Sequence, residues 1–422
     1  MEFYNTTSRV TTCDNTELPS NPTKSLTLAK MQTVEGIPVP TRSSNLQDEL
    51  PQDPLPPGMK PQKAKDKTGT PPSRFSLRMN AGWWRSLQCI GMSLHFLASP
   101  RPPSPNFVKS IPSTLSAMKG KFDLQFYVPE GYNKDPNSEK WPVVVNFHGG
   151  GFTLGSASDD ARFARFVLEK CHAVFVSVDY RLAPEYPFPT AVEDGADAIL
   201  YIINNAAKLR LDNSRIATSG FSAGGNIALT APIRLSEHQK TAKLPEYRIV
   251  AVATWYPITD YTLTRAERRA SAIRPEATLP PTLTNLFDAS YLFPPELDLS
   301  HPCLSPSKAS DEVLIEGLPD NVLFYTCEWD MLLHEGESLA QRLQKPPISK
   351  NVYYTMISGV AHGWDKGPNP MKPPPKSERL YGDCCRKLKR IFEEDQTHSI
   401  LGLPLKLPPL LHSKPKDEST SD

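Results

Sequence analysis

Residues 215–225 read RIATSGFSAGG, a strand-like run that leads directly into a glycine-rich turn. Apolar residues recur at helical spacing after the turn, from Ala223 to Leu235. A Gly-x-Ser-x-Gly pattern between a strand and a helix is typical of a sharp turn that raises a serine above a sheet, because small residues around it let the backbone pack tightly. The turn therefore predicts Ser222 as a nucleophile, with Gly220 and Gly224 permitting its geometry.

Strand-like and helix-like patterns alternate on both sides of this turn. The predicted strands are 122–128, 143–147, 173–178, 215–219, 250–255, 321–326 and 352–357. The predicted helices are 162–170, 191–208, 223–235, 335–343 and 378–392. Such alternation indicates an α/β protein with a mostly parallel central sheet and helices on both faces. Ligands bind such sheets at the carboxyl ends of the strands.

A second glycine-rich loop, HGGGF at 148–152, follows the second predicted strand. Glycines let backbone N–H groups approach a ligand oxygen closely, which an oxyanion hole requires. The predicted donors are the N–H groups of Gly150, Gly151 and Ala223, and His148 and Gly149 complete the motif. A phosphate-binding loop is the alternative, but neither a GK[ST] sequence nor a G-x-G-x-x-G unit accompanies this loop.

Asp330 and His362 each follow a predicted strand, and with Ser222 they stand in the chain order of an α/β-hydrolase catalytic triad. A serine hydroxyl needs a base to become nucleophilic at neutral pH. His362 would accept its proton, and Asp330 would orient the imidazole and stabilise its protonated form. Glu328 and Glu335 lie close enough in sequence to be rival acids.

Together these motifs resemble the hormone-sensitive-lipase-like α/β-hydrolases, a family that includes many microbial carboxylesterases. The matching segments are HGGGF at 148–152, DYRLAPE at 179–185 with Phe188-Pro189, SAGGN at 222–226, and the single residues Asp330 and His362. The resemblance covers roughly residues 100–395. It implies an esterase for short-to-medium acyl groups that uses no metal or organic cofactor. It also implies a helical cap, built from a helix near 83–98 and an insertion near 258–312.

Two positions depart from the family pattern: Phe221 replaces an acidic residue before the nucleophile, and His334 stands where a second carboxylate is usual. Asp179 and Arg181, at the end of a predicted strand, are expected to pair and hold the oxyanion loop. Four aromatic residues near strand ends are expected either to line a substrate pocket or to pack in the core. They are Trp255, Tyr256, Trp329 and Trp364.

The domain prediction divides the chain into three parts. Residues 1–75, rich in Thr, Ser, Pro, Lys and Asn, are expected to form a disordered N-terminal tail. Residues 76–398 form the hydrolase domain, with cap elements at about 76–120 and 258–312. Residues 399–422 are expected to be a disordered C-terminal tail.

Composition narrows the expected partners and location. The chain has 422 residues, with 47 basic and 46 acidic side chains, a balance that does not favour nucleic acid as a partner. It shows neither a signal-peptide pattern nor a run of about 18 apolar residues, so a cytoplasmic location with reduced cysteines is expected. The helix near 83–98 either docks on the protein body, caps a pocket or makes a peripheral membrane contact.

These observations predict a serine hydrolase that cleaves a small-molecule carboxylic ester through an acyl-enzyme intermediate. One alternative keeps Ser222 but passes the acyl group to another acceptor in a dry pocket, as an acyl transferase or condensation catalyst. Another is a non-catalytic small-molecule receptor on the same fold. The presence of all three candidate triad residues favours catalysis over the receptor.

Overall fold

The structure, a computed structural model, describes residues 72–132 and 140–401, with side chains as far as Glu394. The first described helix begins at Arg74 and the last ends at Leu401. Both helices therefore enter stretches that the sequence assigned to tails. The remainder of the predicted tails, residues 1–71 and 402–422, lies outside the described residues.

Within the described residues, eight strands form one sheet in the order β1-β2-β4-β3-β5-β6-β7-β8. They are β1 (Phe107–Pro112), β2 (Lys121–Tyr127), β3 (Trp141–Phe147), β4 (Val174–Asp179), β5 (Leu211–Phe221), β6 (Ile249–Trp255), β7 (Asn321–Cys327) and β8 (Asn351–Ile357). Strand β2 pairs antiparallel with β1 and β4, and every other pairing is parallel. The predicted mostly parallel sheet is confirmed.

Helices cover both faces of this sheet. In the described residues they are α1 (Arg74–Leu97), α2 (Ala161–Phe166), α3 (Thr190–Asn205), α4 (Ala223–Gln239), α5 (Arg265–Ser271), α6 (Pro281–Tyr291), α7 (Asp311–Gly317), α8 (Leu333–Gln344) and α9 (Ser377–Leu401). Helices α3 and α4 pack together on one face, and α2 and α9 contact each other on the other. The central strands are almost wholly buried, which explains their continuous apolar sequences.

Strand β1 has no counterpart among the predicted strands. The first cap element, predicted at about 76–120, therefore extends too far along the chain. Residues 107–112 belong to the central sheet, whereas the prediction placed them in a cap at about 76–120. Only Ile111 is buried in β1, so the strand lacks the alternation that would have revealed it. Phe107 stacks on Phe126 of β2, with ring centres 4.6 Å apart.

Helices α1, α5 and α6 lie in the segments where a cap is expected, and buried or partly buried arginines tie them to the rest of the described protein. Helix α1 packs on α6. Arg85 of α1 donates to the carbonyl oxygens of Thr153 and Ala183. Arg268 of α5 forms a buried ion pair with Glu335 of α8, with Nε and Oε2 2.6 Å apart. Helix α7 instead packs on α4.

In the described part of the chain, none of the helices combines the length and the apolar character that crossing a membrane requires. The six cysteines of the same part form no disulfide.

Candidate active site

The turn around Ser222 has the geometry that its sequence predicts. Strand β5 ends at Phe221 and α4 begins at Ala223, so Ser222 alone joins the two elements. Its φ of 55° and ψ of −116° are strained for a residue with a side chain. A Cβ atom on Gly224 would lie 2.0 Å from the carbonyl oxygen of Phe147, and one on Gly220 would lie 2.1 Å from the Gly224 oxygen. Only glycine fits at these two positions.

Ser222, His362 and Asp330 are brought together at the carboxyl ends of β5, β8 and β7. The Ser222 Oγ lies 2.8 Å from His362 Nε2, and His362 Nδ1 lies 2.6 Å from Asp330 Oδ2. The backbone N–H of Leu332 donates to the other oxygen of Asp330 at 3.0 Å. A carboxylate at Nδ1 keeps the imidazole proton there and leaves Nε2 free to accept one from the serine.

The two rival acids lie elsewhere and have other partners. Glu328 accepts hydrogen bonds from the Ser358 hydroxyl at 2.8 Å and the Gly359 N–H at 2.6 Å. Glu335 is buried, and burial raises its pKa even though Arg268 opposes the shift. Asp330 is therefore the carboxylate that contacts His362.

The loop with the predicted oxyanion donors is a tight turn. The N–H groups of Thr153 and Leu154 both donate to the Gly150 carbonyl oxygen, at 3.1 and 2.8 Å. Among the described residues, the N–H groups of Gly150 and Gly151 have no backbone acceptor. Ala223, as the first residue of α4, has no partner one turn earlier. These three N–H groups remain the predicted oxyanion donors.

Gly151 also contacts the cap. It has a φ of +60°, and a Cβ atom there would lie 2.2 Å from the ring of Phe287 on α6. The aromatic ring therefore rests on the backbone of the oxyanion loop. No sequence signal marks Phe287, because only the fold brings α6 over this loop.

His148 and Gly149 hold the same loop in place from below. The His148 ring stacks on Tyr180 at 4.2 Å, and its Nδ1 lies 2.8 Å from the Gly149 carbonyl oxygen. The Tyr180 hydroxyl donates to the His148 carbonyl oxygen at 2.8 Å. A Cβ atom on Gly149 would lie 3.1 Å from the Phe221 carbonyl oxygen, so the two glycine-rich turns pack against each other.

The predicted pair between Asp179 and Arg181 is wrong. Arg181 instead forms a buried bidentate pair with Asp194 of α3, with Nη2–Oδ1 and Nε–Oδ2 distances of 2.7 and 2.9 Å. Asp179 accepts a hydrogen bond from the N–H of Ala157 at 2.9 Å. On an extended chain, residues two apart point to the same side. Strand β4 ends at Asp179, however, so Arg181 lies beyond the extended segment and does not share that side.

Phe221, which departs from the family pattern, packs in a buried aromatic cluster. Its ring is parallel to that of Trp255, with centres 5.6 Å apart. The Nζ atom of Lys366 lies 4.0 Å from the Phe221 ring centre, 2.7 Å from Asp160 Oδ1 and 3.2 Å from Asp365 Oδ2. Burial alone would lower the pKa of Lys366, but Asp160 and Asp365 outweigh burial and raise it. No sequence motif marks Lys366, although it follows His362 by only four residues.

The remaining residues named from the sequence lie in different parts of the structure. Tyr256 lines the cavity at Ser222, whereas Trp255 is fully buried and stacks on Tyr325. The Arg274 guanidinium lies over the Trp329 ring at 4.6 Å. His334 is on the surface, with Nε2 3.0 Å from the Ser271 carbonyl oxygen.

Two cavities of unequal size meet at Ser222 and His362. The larger has a volume of about 180 Å³ and lies between α1, α6 and the glycine-rich loops. Its apolar lining includes Met92, Leu154, Leu283 and Phe287, and its polar lining includes Gln88, Asp159 and Lys366. The smaller, of about 20 Å³, is lined by Ile258, Tyr261, Met331 and Leu332. Phe287 and Leu279 contact both cavities.

In a comparison with known protein families, residues 144–366 match a family with the alpha/beta hydrolase fold. This match covers more than half of the chain. An arylesterase of Saccharolobus solfataricus is 34% identical over 49% of this chain and 63% of its own length. The carboxylesterase NlhH of Mycobacterium tuberculosis is 35% identical over 52% of this chain and 67% of its own length. The similarity thus spans about two thirds of these relatives.

Solved structures share the same fold. An esterase of Pyrobaculum calidifontis is 28% identical, with a TM-score of 0.60, over 75% of this chain and 93% of that protein. A fungal esterase of Rhizomucor miehei is 24% identical, with a TM-score of 0.63, over 76% of this chain and 94% of that protein. At 24% identity, the similarity to the Rhizomucor miehei esterase supports the fold alone.

Proposed function

This chain belongs to the hormone-sensitive-lipase-like family of the alpha/beta hydrolase fold, and we propose that it is an esterase that cleaves carboxylic esters through a serine-bound acyl intermediate. The observation that carries the proposal is the continuous hydrogen-bonded path from Ser222 Oγ through His362 to Asp330, with steps of 2.8 and 2.6 Å. Both distances are within the range that a nucleophile and its general base require.

In the first half-reaction, Ser222 Oγ bonds to the carbonyl carbon of the ester while its proton passes to His362 Nε2. The carbonyl oxygen becomes an oxyanion, which accepts hydrogen bonds from the N–H groups of Gly150, Gly151 and Ala223. The carbon–oxygen bond to the alcohol then breaks, and His362 donates its proton to the departing alcohol oxygen. The products are a free alcohol and an acyl group on Ser222.

In the second half-reaction, water takes the place of the alcohol. His362 accepts a proton from the attacking water, and the water oxygen bonds to the acyl carbon. The bond to Ser222 Oγ breaks, His362 returns the proton to the serine, and a carboxylic acid leaves. Throughout, Asp330 stabilises the imidazolium form of His362.

The two cavities support a substrate with groups of unequal size on the two sides of the ester. The larger, of about 180 Å³, accommodates an extended apolar group. The smaller, of about 20 Å³, has room for about one water-sized group. We therefore expect esters with one small substituent to be turned over faster than esters with two large ones.

Hydrolysis of p-nitrophenyl acetate, butyrate, octanoate and dodecanoate tests the proposal. The wild type should hydrolyse some of these esters, and Ser222→Ala should not. Ser300→Ala, a change in an exposed loop, is the matched control and should retain full activity. A fluorophosphonate probe should label the wild type at Ser222.

Two outcomes would contradict the proposal in different ways. Labelling of Ser222 without ester hydrolysis would favour acyl transfer to another acceptor on the same triad. Absence of both labelling and hydrolysis would leave a non-catalytic receptor as the better hypothesis.

A further inference from the structure

Helix α1 carries large apolar residues on two faces, and within the described residues one of these faces packs on the rest of the protein. The buried face consists of Leu77, Ala81, Met92 and His95. On the opposite side lies a row of large apolar residues, each three or four positions from the next and between 39% and 72% exposed. This row, here called the α1 stripe, is Phe75, Met79, Trp83, Leu87, Ile90, Leu94 and Leu97. It runs for about 33 Å along the helix.

An exposed apolar surface of this length marks an interaction site. The side of α1 that carries the stripe has no charged residue; its other members are small or polar, such as Asn80, Ser86 and Ser93. A long helix with one exposed apolar side lies along the surface of a membrane rather than across the membrane.

The charged side chains of α1 itself are arginines, and one of them, Arg85, pairs with Glu185 of the protein body. Helix α1 contains no Asp or Glu. Arg74 and Arg85 donate to carbonyl oxygens of the protein body, whereas Arg78 is exposed. Beyond the helix, Arg101 is exposed as well. Anionic lipid headgroups attract such residues.

We propose that α1 binds the surface of a membrane containing anionic phospholipid, with the α1 stripe inserted among the acyl chains and Arg78 and Arg101 at the headgroups. Gln88 and Met92 of the same helix line the larger cavity at Ser222. If the proposed esterase function holds, this arrangement separates the cavity from the lipid phase by the width of α1, and the cavity takes a lipophilic ester from that phase.

A second copy of the chain fits the stripe less well. In a two-fold symmetric pair, the same surface patch of each subunit faces its equivalent. Such a pair would bring two sets of basic side chains, each with Arg78 and Arg101, towards each other. An anionic headgroup layer compensates these charges, whereas a second copy repeats them.

Flotation of the full chain with lipid vesicles tests the proposal. The wild type should float with vesicles of phosphatidylcholine and phosphatidylserine, and more weakly with phosphatidylcholine alone or at high salt. Trp83→Ser combined with Ile90→Ser should lower the vesicle partition coefficient by about 100-fold, since two large apolar side chains are lost. Both residues are more than 60% exposed, so the fold should persist.

The matched control replaces two exposed apolar residues elsewhere, Val108→Ser on β1 and Met356→Ser on β8. It should float like the wild type. All three proteins should hydrolyse a soluble short ester at equal rates. Wild type that floats, a stripe variant that does not and a control that does would support the proposal.

Three results would overturn the proposal: no flotation of the wild type, equal flotation of the stripe variant, or a concentration-dependent dimer that the stripe variant abolishes. Flotation and turnover are independent measurements. A protein that floats but hydrolyses no ester contradicts the esterase proposal alone, and one that hydrolyses soluble esters but does not float contradicts membrane binding alone.

Discussion

The Nζ atom of Lys366 lies 4.0 Å from the centre of the Phe221 ring, and so connects the loop of the candidate base to the turn of the candidate nucleophile. An aromatic residue at position 221 provides a face for this cation. The negative charge near the turn comes instead from Asp160 and Asp365, which both pair with Lys366. The departure from the family pattern is thus accommodated by residues distant in sequence.

Replacing Lys366 by Met should destabilise the protein by about 3–5 kcal/mol, because two buried carboxylates lose their cation. Chemical denaturation monitored by circular dichroism measures the loss. Lys372→Met, at an exposed position in the following loop, is the control and should change stability by less than about 0.5 kcal/mol. Equal stabilities of the two variants would mean that the buried charges are not coupled as described.

Asp330→Asn should lower kcat by about 10⁴-fold while leaving the fold intact, because the amide no longer fixes the imidazole in the reactive tautomer. Steady-state kinetics with a soluble ester, together with a thermal melt, would test this. Glu328→Gln is the control. Glu328 contacts Ser358 and Gly359 rather than His362, so the kcat of this variant should equal that of the wild type. A larger loss in the Glu328 variant would assign the orienting role to that residue.

Acidification should weaken the docking of α1 through His95. Burial, followed by the charges of Lys366 and Arg162, lowers the pKa of His95 to about 4. Its Nε2 accepts a hydrogen bond from Arg162 Nε at 3.2 Å, which a protonated ring cannot do. The unfolded chain takes up this proton near pH 6.5 and the folded chain only near pH 4, so the stability from neutral His95 is present above pH 6.5 and is lost as the pH falls towards 4.

Between pH 7 and pH 5, this loss should be on the order of 2 kcal/mol for the wild type. His95→Gln, which keeps a donor and an acceptor but does not titrate, should show a correspondingly smaller change over the same range. Urea unfolding at both pH values provides the comparison. Identical pH dependence in the two proteins would count against a titrating role for His95.

Two glycine substitutions should have opposite effects on stability. Gly224→Ala should cost about 3 kcal/mol or more, because its Cβ atom would lie 2.0 Å from the Phe147 carbonyl oxygen. Gly82→Ala, at an open position on the exposed side of α1, should stabilise the protein by about 0.5–1 kcal/mol. Thermal melts of both variants would show shifts of opposite sign. A neutral Gly224→Ala would contradict the close packing of the nucleophile turn.

The sequence predicted the parallel sheet because β3 and β4 are buried on both faces and therefore have continuous apolar sequences. It failed at β1, where Ile111 alone is buried and neighbouring residues face solvent. The cap was predicted through the family resemblance, but its first element was drawn too far along the chain. Edge strands and irregular insertions lack the periodicity from which burial can be inferred.

The candidate triad was recognisable because each member follows a strand at the same edge of the sheet. Lys366 and Phe287 were not, since their roles depend on contacts with Asp160 and Gly151 that no sequence spacing records. The partner of Arg181 was wrongly predicted for the same reason. Asp179 is close to Arg181 in sequence, whereas Asp194 reaches the guanidinium from α3.

The contact between Phe287 and Gly151 has a consequence for how substrate selection and turnover are linked. Helix α6 lines the larger cavity at Ser222, and its Phe287 ring rests on the loop proposed to stabilise the transition state. A change in α6 that alters substrate specificity therefore also alters the loop proposed to stabilise the transition state. At position 287, the cap therefore tolerates only side chains that leave the shape of that loop unchanged.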